Sequence, residues 1–549
     1  MPNVVTNILV VIFSIIFGAS FYFIPYFRHI KEYKFKEYFL ANKFKVVIAT
    51  LMFIIALSRL FLLDLAPYGA NQDEVSAGYD AYAIMTTGKD RNGMQLPAHL
   101  ISWGSGQNVL YSYLIIPFLW ITNNSTLALR LPMGLVSLLS IALLFDLFRR
   151  KYDYKVALFA AIFLAITPWH FMKSRWGLES NLFPEMVFIG AYFLMCYLLD
   201  KKLYKFILSS VIIGLSSYSY GTSYFFLLFF VIAVMVYLLI KKLVKWQFAL
   251  LYVAIIGVIA IPIILFLYVN IFEKDSFRFL FIDIPRLTSN RFGVISSIKN
   301  GTFFKDGWEN YKNAFVMLFS QRDGLPHNHV EGFGTISYIA LPFALIGLFH
   351  KGDKAFINTL RIWLIVTILM LFIVSANINR MNIIFYPLII FAFYGTMDIV
   401  KLEKRIGLVI KISYLANFLV FTGFYFSSWN ENMKGNFYYT FDDAIRCSTK
   451  YEAETVYVTP YINQPYVYVL YYTKYDVDAF INTVNYTNPH GAFRGVSSFG
   501  NYVFSLPGEL QEGNVYIVSN NSNPYKDVDL SNYEVTKFER YTVISTIVS

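Results

Sequence analysis

Charge is scarce in this chain. Of its 549 residues only 15% are Asp, Glu, Lys or Arg, and 57% are hydrophobic. A soluble globular domain carries about a quarter charged residues, so that class is excluded. Cysteine is almost missing too. Cys196 lies in an apolar run and Cys447 in the polar tail, which rules out a disulfide framework. Internal repeats and low-complexity runs are lacking. No basic segment precedes the first apolar stretch, which is therefore read as a retained span rather than a cleavable leader. The net charge of +11 comes from Lys and Arg in short loops, not from one basic soluble face, so nucleic acid is not an expected partner.

Long apolar runs fill the space that charge leaves. A spanning helix needs about 20 mostly apolar residues. Candidate spans fall near 3–27, 46–64, 127–148, 156–171, 182–199, 206–219, 222–240, 248–269, 335–349, 356–376, 381–399 and 406–427, about twelve in all. The basic stretches at 28–45, 149–155, 200–205, 241–245, 350–354 and 401–405 then share one side, taken as cytoplasmic. Residues 65–126, 172–181, 270–334, 377–380 and 428–549 fall on the other, external side. "VLYSYLIIPFLWIT" (109–122) is too short for a span without inverting this order, so it is read as an interfacial or re-entrant helix.

From about residue 428 the composition changes. "TVYVTPY", "GNVYIVSN" and "RYTVISTIVS" read as strands, while "QPYVYVLYYTKY" fits helix or strand. The expected architecture is a polytopic α-helical membrane protein with a small C-terminal extracytoplasmic α/β domain. Residues 1–45 supply an extra first span and a basic loop, residues 46–427 a membrane domain, and residues 428–549 the tail domain.

Polar side chains that could carry chemistry gather in the external loops. "NQDEVSAGYDAYAIMTTGKDRNG" (71–93) places Asp73 and Glu74 just past a span, with Asp80, Lys89, Asp90, Arg91 and, further on, His99. One acid is well explained as a helix cap, with Gly88 ending the helix; the whole cluster is not. Asp73 and Asp80 share a helix face. A carboxylate at the lipid–water boundary is suited to act as a general base. "TPWHFMKSRWGLESN" (167–181) adds His170, Lys173, Arg175 and Glu179. Interfacial anchoring accounts for its tryptophans, and Arg175 and Glu179 are spaced to pair on a helix. "QRDGLPHNHVEGFG" (321–334) holds His327 and His329 beside Glu331, too few ligands for a convincing metal site. In "SANINRMN" (375–382), Arg380 at the membrane surface is either a snorkelling anchor or a phosphate ligand.

Asp-Glu just after a span, then "GYDAY" and "TGKDRNGMQLP", followed by "PWHFMKSRWGLESN", resembles the GT-C superfamily of polyprenyl-phosphate-sugar-dependent glycosyltransferases. That superfamily includes protein O-mannosyltransferases and the lipid A aminoarabinose transferase. The resemblance implies a cell-membrane enzyme that moves a hexose or pentose from a polyprenyl-phosphate donor to an acceptor hydroxyl with inversion. It implies Asp73 as general base and Glu74 as a supporting acid. Arg175 and Arg380 become the phosphate contacts, then Lys173; Asp80, Asp90, His170, Glu179 and His327 complete the substrate site. No cofactor is implied, and a divalent metal is left open. The partners are the lipid-linked sugar, membrane lipid, and an envelope glycan, lipid or protein as acceptor. Aminoarabinose transferases carry a Glu-Lys pair where this chain has the uncharged "GSGQNVL" (104–110), which argues against that sugar and lipid A. The rival class is a flippase of lipid-linked sugars. Transporters concentrate charge near the midplane, whereas the spans here read as almost free of it.

Overall fold

The computed structural model describes residues 2–27, 38–39, 41–289 and 302–546. Most of the basic stretch 28–45, and 290–301 of the long loop 270–334, lie outside the described residues. Eight described helices are long and apolar enough to cross a membrane, or nine if one bent pair forms a single span. They include Thr126–Lys151, Glu179–Asp200, Ser223–Ile240, Trp246–Ile271 and Lys354–Ile373.

The count falls below twelve for local reasons. The helix Lys43–Leu60 carries Lys43, Lys45 and Arg59 within 18 residues. Leu203–Leu215 and Ala340–Gly347 are short, at 13 and 8 residues. The run 156–171 is broken: Tyr154–Ala165 ends, and Pro168–Ser174 begins at an angle of 67°. Proline suits a first helical turn and cannot continue the ladder before it. Leu110–Thr122 is a separate 13-residue helix.

The spans also hold more charge than their hydropathy suggests. Arg130 and Glu185 are buried inside Thr126–Lys151 and Glu179–Asp200. Glu185 accepts a 2.5 Å bond from the Tyr386 hydroxyl and lies 3.4 Å from His170 Nε2. Arg59 is 3.5 Å from the other ring nitrogen of His170.

The tail builds one mixed sheet. In chain order its strands are β3 (Val456–Val458), β4 (Asn485–Tyr486), β5 (Val496–Phe499), β6 (Tyr502–Val503), β7 (Val515–Ser519), β8 (Glu534–Lys537) and β9 (Tyr541–Ser545). β1 (Phe277–Phe279) and β2 (Ile282–Ile284) form a separate hairpin in the loop before residue 290. The sheet order is β4-β5-β6-β3-β7-β9-β8. β3 runs parallel to β6 and β7, and Val515 pairs with Ser545 across the antiparallel β7–β9 ladder. "QPYVYVLYYTKY" resolves as the helix Pro465–Thr473. Tyr466 to Tyr472 are all buried, so the segment shows no polar face by which to read a period.

This helix is what fastens the tail to the rest. It packs on the helix Gln72–Thr87, and the two share one hydrophobic core with Leu129 and Leu182 of the spans. The crossing is close: a Cβ at Gly78 would meet Leu129 Cδ2 at 2.2 Å and Tyr471 Cε2 at 2.9 Å. Tyr468 donates to the Ala70 carbonyl at 2.9 Å, and Tyr79 to the Tyr475 carbonyl at 2.9 Å. The tail domain therefore clamps the acidic helix against one end of the bundle.

Candidate active site

The acidic helix, Gln72–Thr87, carries Asp73 and Glu74 in its first turn. Asn71 is its cap: its side chain accepts from the Asp73 amide at 2.9 Å, and Glu74 Oε1 accepts from the Asn71 amide at 2.8 Å. Reciprocal capping of this kind satisfies donors that a helix start leaves orphaned. Gly88, with φ of 74°, ends the helix.

Glu74 has a second and larger task. Its carboxylate meets Arg130 in a fully buried pair, with Oε1 2.8 Å from Nη2 and Oε2 3.2 Å from Nε. Arg130 also donates to the carbonyls of Leu63 at 2.7 Å, Pro67 at 2.8 Å and Gly69 at 2.6 Å. Glu74 Oε2 further accepts from the Gly177 amide at 3.3 Å. Gly177 is needed there, because a Cβ would stand 2.2 Å from the Leu129 carbonyl oxygen. One ion pair thus joins the first loop, a span and the second loop.

Asp73 is placed differently. It is half-buried in the first turn, and its carbonyl accepts from Gln107 Nε2 at 3.1 Å. Its carboxylate acts electrostatically on Glu179, the first residue of Glu179–Asp200. Glu179 accepts a short bond from the Asn108 amide, and Asn108 Nδ2 donates to the Tyr224 hydroxyl at 2.9 Å. The uncharged "GSGQNVL" therefore bridges the two acids, Gln107 to one and Asn108 to the other.

Arg175 and Glu179 do not pair. Every nitrogen of the Arg175 guanidinium donates to carbonyls at the end of Lys43–Leu60 and just beyond: Ser58, Arg59, Phe61, Leu62 and Ala66, at 2.9–3.3 Å. A cation at a helix C-terminus is favourable, and this one is wholly buried.

Lys173 gathers the later loops. Its Nζ donates to Asn328 at 2.7 Å and Asn379 at 3.0 Å and lies 4.7 Å above the Trp176 ring. Asp323 accepts from Asn328 at 2.9 Å and from the Ile378 amide at 3.0 Å. Arg380, one residue from Asn379, is half-buried and bonds Ser375 through Nη1 alone. Among the described residues, its Nε and Nη2 have no protein partner. His327 sits edge-on to Trp176, and burial, with the nearby Lys173 charge, lowers it to about 4. His329 instead lines a groove of about 550 Å³ with Arg322, Asp323 and Glu331. No three His, Cys, Asp or Glu side chains among the described residues are grouped to hold a metal. His170 lies apart from these loops, in the Glu185 cluster.

Asp80 and Asp90 are buried under the tail. Asp80 Oδ1 accepts from the Arg91 amide at 3.2 Å, and its Oδ2 is 3.6 Å from Arg91 Nη2. Arg91 donates to Ser76 at 2.7 Å and Ser102 at 2.9 Å, and Ser76 to Gln107 at 3.1 Å. A chain of bonds thus leads from Asp80 to the Asp73 backbone. Asp90 closes a turn, accepting from the amides of Asn92 and Met94. Burial, and then the charge of Asp80, pushes Asp90 up to about 7. The sequence did not single out Arg130, Gln107, Asn108 or Tyr224. Arg130 had left a signal, a lone cation inside the apolar "TLALRLPMGL".

Known proteins share this architecture. A family model described as dolichyl-phosphate-mannose-protein mannosyltransferase matches residues 107–268. The crystal structure of ArnT from Cupriavidus metallidurans in the apo state superposes with a TM-score of 0.54 at 12% identity, over 92% of this chain and 98% of that one. The same protein bound to undecaprenyl phosphate gives 0.52 at 11% identity, with the same coverage of each chain. No curated protein sequence matches the chain. The fold is thus similar to that of ArnT, and the part of the chain that matches the mannosyltransferase family model agrees with the resemblance read from the sequence.

Two predictions come from this geometry. Removing one partner of a buried pair costs about 3–5 kcal/mol, because the other charge is stranded. Glu74→Ala and Arg130→Ala should each lower the melting temperature sharply in detergent, while Asp73→Asn leaves it within a degree or two. Asp90, with its raised value, stabilises the fold when protonated below the ordinary carboxylate range. That contribution fades as pH rises through about 7. Asp90→Asn should therefore raise the melting temperature more at pH 8 than at pH 5; an equal effect at both would show that Asp90 does not titrate there.

Proposed function

We propose that this protein transfers a sugar from a polyprenyl phosphate to an acceptor hydroxyl, with Asp73 as general base. The observation that carries this reading is that adjacent residues Gln107 and Asn108 tie together Asp73 and Glu179, each in the first turn of a helix, at one end of a GT-C-type bundle. A half-buried carboxylate at a loop-covered bundle end can reach an acceptor from water while the donor tail stays in lipid.

In the proposed step the acceptor O–H proton passes to Asp73. The freed oxygen attacks C1 of the sugar from the face opposite the phosphate. The C1–O bond breaks, the configuration inverts, and polyprenyl phosphate leaves with the bonding pair. Glu179 orients the acceptor, and Glu74 supports the base through Arg130. Arg380, with two nitrogens unengaged among the described residues, is the phosphate ligand, aided by Lys173. Arg175 holds the loop in place. The ArnT structure with undecaprenyl phosphate supports a lipid of that class. Gln107 and Asn108 in the bridging loop support a sugar other than aminoarabinose. The site and the tail domain face the extracytoplasmic side.

One observation favours the flippase reading, namely the buried Arg59–His170–Glu185–Tyr386 cluster among the spans. Kinetics of purified protein separate the two. Asp73→Asn should lose about 10²–10⁴-fold in transfer rate with unchanged donor binding. Arg380→Lys should raise the donor concentration needed, since a point charge does not replace a bidentate fork. Near-normal turnover by Asp73→Asn would remove the assignment. Lipid-linked sugar crossing a vesicle bilayer without release of polyprenyl phosphate would favour the flippase.

A further inference from the structure

The helix Phe303–Ser320, in the loop between two spans, has three faces. At about 100° per residue, Gly307, Asn310 and Ala314 share one side. That side packs on the last turn of the spanning helix Lys354–Ile373. A Cβ at Gly307 would stand 2.4 Å from the Phe372 ring, Asn310 Nδ2 donates to the Phe372 carbonyl at 3.2 Å, and Tyr311 stacks edge-on to Phe372 at 5.0 Å. Lys305, Glu309, Lys312 and Asn313 form a mostly polar side, with the exposed Val316 among them. Between these two, Phe304, Trp308, Tyr311, Phe315 and Phe319 fall within an arc of about 80°. Phe304 is 80% exposed, Trp308 62% and Phe315 63%, among the described residues.

We infer that this stripe is seated in the bilayer, at the boundary between headgroups and acyl chains. Three observations fix the occupant as lipid. The helix crosses Phe372 in the last turn of a span, which is the height where the hydrocarbon ends. The exposed Ile365, Ile368 and Leu369 continue the apolar surface along that span. Aromatic rings beside lysines are the composition that interfacial helices use. The helix runs directly into the loop whose Asn328 holds Lys173, so the membrane sets the height of that loop. The inference does not depend on the sugar-transfer reading.

The test uses full-length protein in lipid nanodiscs, with an environment-sensitive NBD label at Trp308→Cys, at Phe315→Cys or at Asn313→Cys on the polar side. Both native cysteines are buried. Doxyl-labelled lipid should quench the labels at 308 and 315 at least about threefold more than the one at 313, for a seat about 5–10 Å deep. Equal, weak quenching at all three positions would overturn the inference. So would a blue-shifted but unquenched label at 308 whose shift depends on protein concentration, which would mean that a second copy covers the stripe. Because position 315 is as exposed as 308, poor folding of one variant leaves the other to decide.

Discussion

The arrangement of the loops rests on the buried pair between Glu74 and Arg130. Two unit charges removed from water are expensive, and they are tolerated only when every remaining donor and acceptor is satisfied. Here the guanidinium takes up three carbonyls of residues 63–69, and the carboxylate takes up the Asn71 and Gly177 amides. The pair is thus a tie between three segments distant in sequence. Because Glu74 is occupied, its neighbour Asp73 is left half-buried at a fixed height on the helix. Two adjacent acids have two unlike environments, and the chemistry assigned to each follows from that difference.

The second layer of support comes from the tail. Its helix Pro465–Thr473 packs on the acidic helix beside Leu129 of a span, with Gly78 allowing the close approach of all three. Arg91, held between Asp80, Ser76 and Ser102, transmits that packing to Gln107 and so to the Asp73 backbone. Arg175 does the same for the end of Lys43–Leu60. The carboxylate proposed as the base stands in the first turn of a helix and needs such scaffolding, because a reacting group must be held within a fraction of an ångström.

Much of this was legible in the sequence. The apolar runs and the scarcity of charge announced a bundle of spans, and strand-rich segments announced the tail. Asp73 and Glu74 stood out because a charged pair beside a span is costly and rare. What could not be read was which charges had partners. Arg175 and Arg380 look alike in sequence, each an arginine beside a span. One is spent on five carbonyls, whereas the other bonds Ser375 through Nη1 alone. Arg130 and Glu185 were lost inside apolar windows, where average hydropathy hides a single ion. Short helices and a proline break interrupt some runs that look continuous in sequence.

The proposed base, lipid donor and inversion meet in one measurement. Purified protein in detergent, with no compartments to cross, is given a polyprenyl-phosphate-linked sugar and a hydroxyl acceptor. Mass spectrometry follows the lipid, and NMR reads the anomeric configuration of the product. The account predicts release of free polyprenyl phosphate together with a glycoside of inverted configuration. A product that retains the donor's configuration, or intact donor lipid across every sugar and acceptor tried, would contradict it.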